Sequence, residues 1–150
     1  MPDDQPVRKK HHLPRDCYRG GDAFFITICT HEKKQILIEP PVKDCLIDFL
    51  EGQKDIAGGP VHAYVIMPDH LHMLVSGQKD LIEWIRWFKA RVSFFVKRRG
   101  FSEKIWQKSA YDEGIRKPEK VMEILAYMAD NPVEKELVAR REDWQLKYGC

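Results

Sequence analysis

Apolar positions recur with a period of two in some stretches of the chain and near 3.6 in others, and the switches mark seven elements. Ala23 to Thr30 (AFFITICT) is dense in β-branched and aromatic residues and predicts a strand. His31 to Pro41 reads as loop or short extended structure, closed by Pro40-Pro41. Val42 to Ile56 places Val42, Cys45, Leu46, Phe49 and Leu50 at helical spacing, and Gly58-Gly59-Pro60 breaks the chain after it. Val61 to Met67 (VHAYVIM) and His70 to Ser76 (HLHMLVS) flank a tight Pro68-Asp69 turn and predict an antiparallel hairpin. Asp80 suits the N-cap of a long helix with Leu81, Ile85, Phe88, Val92 and Phe95 on its apolar stripe, ending near Arg99-Gly100. Lys104 to Ile115 reads as a short strand and a loop. Pro118 opens a last helix with the stripe Val121, Ile124, Leu125 and Met128. Pro132 predicts its end at Asn131, because proline disfavours helical geometry in the residue before it. This order predicts an α+β fold, an antiparallel sheet with helices packed mainly on one face, close to a ferredoxin-like split βαβ arrangement.

At 150 residues, 43% of them apolar, the chain has the length and the material for one domain with one real core. Residues 1–20 are polar, basic and loop-like, and 21–150 make the domain. No run approaches the ~20 apolar residues of a membrane helix, so no membrane partner is expected. The start, Met1-Pro2-Asp3-Asp4-Gln5, is polar and acidic, unlike a secretory signal. Cys17, Cys29, Cys45 and Cys150 form no Cys-x-x-Cys pair and lie at no zinc-finger spacing, which suits reduced thiols and a cytoplasmic location.

A formal net charge of +2 hides segregation. Between Arg86 and Lys108 the basic residues are Arg86, Lys89, Arg91, Lys97, Arg98, Arg99, Lys104 and Lys108, Glu103 is the one acid, and the window carries +7. Trp87, Phe88, Phe94, Phe95, Phe101 and Trp106 are interleaved with them. Such a segment suits either a solvated helix face or a phosphate backbone, whose counterions it would release. Trp87 or Trp106 would then stack on unpaired bases, with Phe88, Phe94 and Phe95 serving the core. A smaller cluster, Arg8, Lys9, Lys10, His11, His12, Arg15 and Arg19, suits a solvated tail or an arm that orders on nucleic acid.

His70-Leu71-His72 is the most informative tripeptide. In a strand both imidazoles leave one face, while Leu71, Met73 and Val75 leave the other towards the helices. Two imidazoles one strand repeat apart either clamp a divalent cation or sit unpaired on a wet sheet face. On the last helix Tyr127 lies off the centre of the apolar stripe, with Asn131 at i+4 on the same side. A tyrosine there either packs its ring and wets its hydroxyl or presents that hydroxyl to a substrate.

The stretch Tyr64-Val65-Ile66-Met67-Pro68-Asp69-His70-Leu71-His72-Met73-Leu74-Val75 resembles the His-hydrophobic-His motif of the single-tyrosine HUH transposases. These are small enzymes of insertion sequences, and they include relatives associated with repetitive extragenic palindromes (REPs). Phe24-Phe25-Ile26-Thr27, the set Ile105-Trp106-Gln107, Tyr111-Asp112 and Ile115-Arg116, and Tyr127-Met128-Ala129-Asp130-Asn131-Pro132-Val133 resemble further family segments in the same order. The resemblance covers about residues 20–140. It implies an HUH-type fold in which His70, His72 and Asn131 hold Mg²⁺ or Mn²⁺ and Tyr127 is the nucleophile. Ligand chemistry alone would favour zinc-like metals for two imidazoles, so the Mg²⁺ or Mn²⁺ expectation belongs to the resemblance. In two places the chain departs from the family pattern: Asp69 stands where relatives often have Asn, and no histidine occurs around Tyr111-Asp112-Glu113.

The implied reaction is attack of Tyr127 on a DNA phosphodiester, giving a covalent 5′-phosphotyrosine and a free 3′-hydroxyl, then transfer to another 3′-hydroxyl. The expected substrate is single-stranded DNA beside a hairpin, and a homodimer is one possible state. Arg86, Lys89, Arg91, Lys97, Arg98, Arg99, Trp106 and Lys108 are the candidate DNA contacts. Three other readings compete: a non-catalytic nucleic-acid-binding module on the same fold, a replication-initiator-type nicking endonuclease, and a hydrolase whose His pair holds zinc. A phosphate loop of the helicase type, which a multidomain initiator would carry, is absent from the chain.

Overall fold

Five strands form one antiparallel sheet in the order β4-β1-β3-β2-β5. In chain order the elements are β1 (Ala23–Cys29), α1 (Pro40–Gly52), β2 (Val61–Ile66), β3 (His70–Ser76), α2 (Leu81–Arg98), β4 (Tyr111–Gly114), α3 (Pro118–Glu134) and β5 (Lys147–Tyr148). The computed structural model describes residues 23–53, 61–76, 80–115 and 117–150. The expected basic arm, residues 1–20, lies outside the described residues, as do Gly58-Gly59-Pro60 and Arg116. Among the described residues no helix is long and apolar enough to cross a membrane.

Every residue of β1 is buried, because both faces of the sheet are covered there. This explains why Ala23 to Cys29 reads as a nearly continuous apolar run rather than as an alternation. On one face Phe24, Ile26 and Ile28 of β1 and Leu71, Met73 and Val75 of β3 pack under α1 and α2. On the other, Phe25, Leu74 and Val65 pack under Val121, Ile124 and Met128 of α3. Two helices therefore share one face and the third covers part of the opposite one. An amphipathic stripe says that a helix has a buried side but not which sheet face it covers, and the placement of α3 decides where the site forms.

The ends of α2 follow its sequence. The Asp80 carboxylate accepts from the Glu83 amide at 3.1 Å, and Gly100 takes the left-handed φ of +96° beyond the last turn. The ends of α1 differ from expectation. Pro40 and Pro41 start the helix rather than closing a loop, since the first turn requires no amide donor, and the helix stops at Gly52. The end of α3 is a larger correction. It continues through Pro132 to Glu134. Pro132 forfeits one bond, to the Met128 carbonyl, yet the turn beyond is closed by the Lys135 amide on the Asn131 carbonyl and the Leu137 amide on the Pro132 carbonyl, at 3.0 and 2.9 Å. Asn131 thus lies inside the helix rather than at its fraying end. The two residues of β5, too short to show a period, pair Tyr148 with Tyr64 at the outer edge of β2.

Candidate active site

Alternation along β3 sends His70, His72 and Leu74 towards α3. The pairing of β1 with β3 sets Thr27 across from His72 and Cys29 across from His70. The Thr27 hydroxyl lies 2.8 Å from His72 Nδ1, and Phe25 stacks on the imidazole at 5.1 Å between centroids. His72 is 1% exposed, and its Nε2 is buried with no hydrogen-bond partner. Burial, then the neighbouring His70 and Lys135, push its pKa well below the ordinary imidazole value, so the ring is neutral at pH 7. The tautomer that donates Nδ1–H to Thr27 leaves the Nε2 lone pair free. An orphaned buried nitrogen costs about 1–3 kcal/mol.

His70 sits beside it, with ring centroids 4.6 Å apart. The turn residue Asp69 places a carboxylate oxygen 2.7 Å from His70 Nδ1. That hydrogen bond is the largest of the influences that hold Asp69 below the usual carboxylate range, against its own burial. A carboxylate accepting from Nδ1–H fixes the tautomer and turns the Nε2 lone pair outward. His70 Nε2 then faces Asn131 Oδ1 at 3.2 Å, a contact between two acceptors. Adjacent ligands of an octahedral cation at ~2.1 Å are about 3 Å apart, so this separation suits a cation shared by the two. His70 Nε2, His72 Nε2 and Asn131 Oδ1 therefore fit a divalent cation as a donor set of two imidazoles and an amide. Among the described residues no group of three or more His, Cys, Asp or Glu is placed to hold one.

Tyr127 comes from the same helix as Asn131, one turn earlier. Its ring centroid lies 5.5 Å from that of His72 and 6.0 Å from that of Phe25, edge-on to the latter. All four predicted residues, His70, His72, Tyr127 and Asn131, are therefore brought together within one chain. The histidines line a cleft of about 490 Å³ whose walls also include Thr27, Lys33, Asp69, Tyr111 and Lys135.

The matching family model is described as "Transposase IS200 like" and spans residues 23–117, which include both histidines. The chain belongs to this family. Tyr127 and Asn131 lie beyond the matched span, so their assignment rests on the geometry above. The family is that of the single-tyrosine HUH transposases, and the α+β fold agrees with it. A REP-associated tyrosine transposase solved bound to a REP hairpin superposes with a TM-score of 0.68 at 20% identity, covering 95% of this chain and 81% of its own. A candidate transposase from Deinococcus radiodurans R1 gives a TM-score of 0.51 at 16% identity, over 73% of this chain and 90% of its own. At these identities the likeness establishes the fold. A search of curated proteins found no match.

The expected DNA contacts lie elsewhere in this family member, on and after α2, which covers the other sheet face. Arg86 pairs with Glu83 at 2.5 Å and Arg99 with Asp48 at 3.3 Å. Arg91 lies over the Phe95 ring at 4.9 Å, and Arg98 over Phe94 at 5.6 Å. Lys89 donates to the carbonyls of Gln107 and Lys108 at 2.6 and 3.2 Å, tying α2 to the segment before β4. Burial draws its pKa down, with Lys104 adding to the shift. Lys97 lies in the last turn of α2. Trp87 is exposed, but Trp106 is not the stacking platform expected of it. It is 5% exposed, bridges to Thr30 and packs in the core, so neither ring face is open to a base. Phe94, expected in the core, is half exposed. Sequence reasoning missed Thr27, Lys33 and Lys135. Thr27 gives no local signal because strand pairing alone joins it to His72. Lys135 continues the 127, 131 spacing and was hidden by ending the helix at Pro132.

Proposed function

We propose that this protein cleaves single-stranded DNA and transfers the strand through a covalent 5′-phosphotyrosine at Tyr127. Family membership supports a transposase. One observation carries the finer reading: α3 sets the Tyr127 ring 5.5 Å from His72 while Asn131, one turn on, reaches His70 at 3.2 Å. Tyr127 Oη bonds to phosphorus, the bond from phosphorus to the 3′ oxygen breaks, the tyrosyl proton is released, and the departing oxygen takes up a proton to become a 3′-hydroxyl. The new ester keeps the energy of the old one, so attack by a different 3′-hydroxyl reverses the step without a nucleotide cofactor. Mg²⁺ or Mn²⁺ bound by His70, His72 and Asn131 would supply charge neutralisation at a non-bridging phosphate oxygen. Thr27 and Asp69 hold the two rings in the required tautomers.

On the other sheet face Arg86, Lys89, Lys108 and Asp112 line a second recess of about 330 Å³, whose cations would suit a phosphate backbone running beyond the cleft. The test is a labelled single-stranded oligonucleotide carrying a hairpin, incubated with Mg²⁺ or Mn²⁺. The native protein gives a denaturation-resistant adduct and Tyr127→Phe gives none. Equal adduct in both would sink the nucleophile assignment. Cleavage without any adduct would favour a zinc-type hydrolase.

A further inference from the structure

Two cations in the cleft have no part in the reaction as written above. Lys33 and Lys135 both line it, from different elements. Lys33 follows β1 in a tight turn in which Glu32 and Lys33 adopt φ of 56° and 57°. Two successive side-chain-bearing residues in the left-handed region are uncommon, and such backbone persists mainly where function holds it. The turn sets Lys33 Nζ 3.8 Å from the sulfur of Cys29, the residue paired with His70 across the sheet. Lys135 caps the C-terminus of α3, the helix that carries Tyr127, its amide bonded to the Asn131 carbonyl at 3.0 Å. Both side chains are exposed, and neither forms an ion pair with a carboxylate of the described residues.

Two lysine charges outweigh the single Asp69 carboxylate on the cleft wall. A phosphodiester carries one negative charge and gains a second as the tyrosyl oxygen bonds to phosphorus. Fixed cations aimed at developing charge act on the transition state more than on the ground state. We propose that Lys33 and Lys135 clamp the scissile phosphodiester, both on its non-bridging oxygens, as catalytic residues of the Tyr127 reaction. This rests on the reading of the site given above and adds to it the groups that grip the reacting phosphate.

Single-turnover adduct formation on the hairpin oligonucleotide, followed over protein concentration, separates rate from affinity. Lys135→Gln is expected to lower the maximal rate about tenfold or more while the half-saturating concentration changes less than about threefold. Lys33→Gln acts in the same direction, and Lys135→Arg, which keeps the charge, restores most of the rate. An unchanged maximal rate in both glutamine variants, or a loss seen only in half-saturation, overturns the clamp. So does a failure of Lys135→Arg to recover rate. Absence of a Tyr127 adduct in the native protein is a separate result that overturns the reaction itself, and the clamp with it. Both lysines are exposed, so the variants keep the fold, and an unchanged melting temperature checks this.

Discussion

The two faces of the sheet are made from the same strands and differ in kind. On the face under α1 and α2, β1 and β3 present Phe24, Ile26, Ile28, Leu71, Met73 and Val75 with no polar residue among them. On the face under α3 the alternate positions include Phe25, Thr27, His70, His72, Leu74 and Ser76, so apolar and polar side chains are mixed. A period of two lets neighbouring residues of one strand answer to different demands. The first face is packed apolar against its helices, and its one buried polar atom without a hydrogen-bond partner among the described residues is Trp106 Nε1, at the margin of that core. The second carries an orphaned imidazole nitrogen, which is unfavourable for folding alone and useful only with a ligand. Stability and chemistry should therefore separate cleanly between the faces.

The largest effect expected is on the apolar face. Phe88 is fully buried against Phe49 and Trp84, and Phe88→Ala should cost about 3–5 kcal/mol in urea unfolding. Whatever fraction stays folded should form adduct at the native rate, and a slower rate in that fraction would break the contrast. His72→Ala is the converse: adduct formation falls about a hundredfold or more, about 2.7 kcal/mol of barrier, while unfolding free energy shifts by less than about 1 kcal/mol. In the native protein Mn²⁺ should raise the melting temperature, and in His72→Ala it should not. Thr27→Val removes the hydroxyl that bonds His72 Nδ1 and should weaken Mn²⁺ binding about tenfold by calorimetric titration, with the fold intact. The smallest change is at a site belonging to neither face: Asp80→Ala, which uncaps α2, should cost about 1 kcal/mol of stability and no activity.

Much of this arrangement was legible in the sequence, and the rest failed for identifiable reasons. Strand alternation put His70 and His72 on one face with Leu71, Met73 and Val75 on the other, and the Asp80 cap and Gly100 end bounded α2. Periodicity also joined Tyr127 to Asn131, because i, i+4 geometry is local. What joins the histidines to the tyrosine is tertiary: α3 had to cross to the sheet face that α1 and α2 leave open. Thr27 and Lys33 reach the site through strand pairing and a left-handed turn, neither of which leaves a local pattern. The rule applied at Pro132 was sound for the peptide but lost to packing, since the following turn recovers its hydrogen bonds, and with that turn went Lys135. Trp106 read as an exposed aromatic among cations, but its bridge to Thr30 draws it inward.

Tyr127 lies against His72 of its own chain, and for the proposed reaction this predicts how velocity scales with protein concentration. A centre completed by one polypeptide survives dilution, so the initial velocity of DNA cleavage should rise in proportion to protein concentration. A tyrosine borrowed from a second copy would instead make velocity climb with the square of concentration at low protein. Proportional velocity would mean that one molecule reaching one DNA hairpin is enough for the first cut.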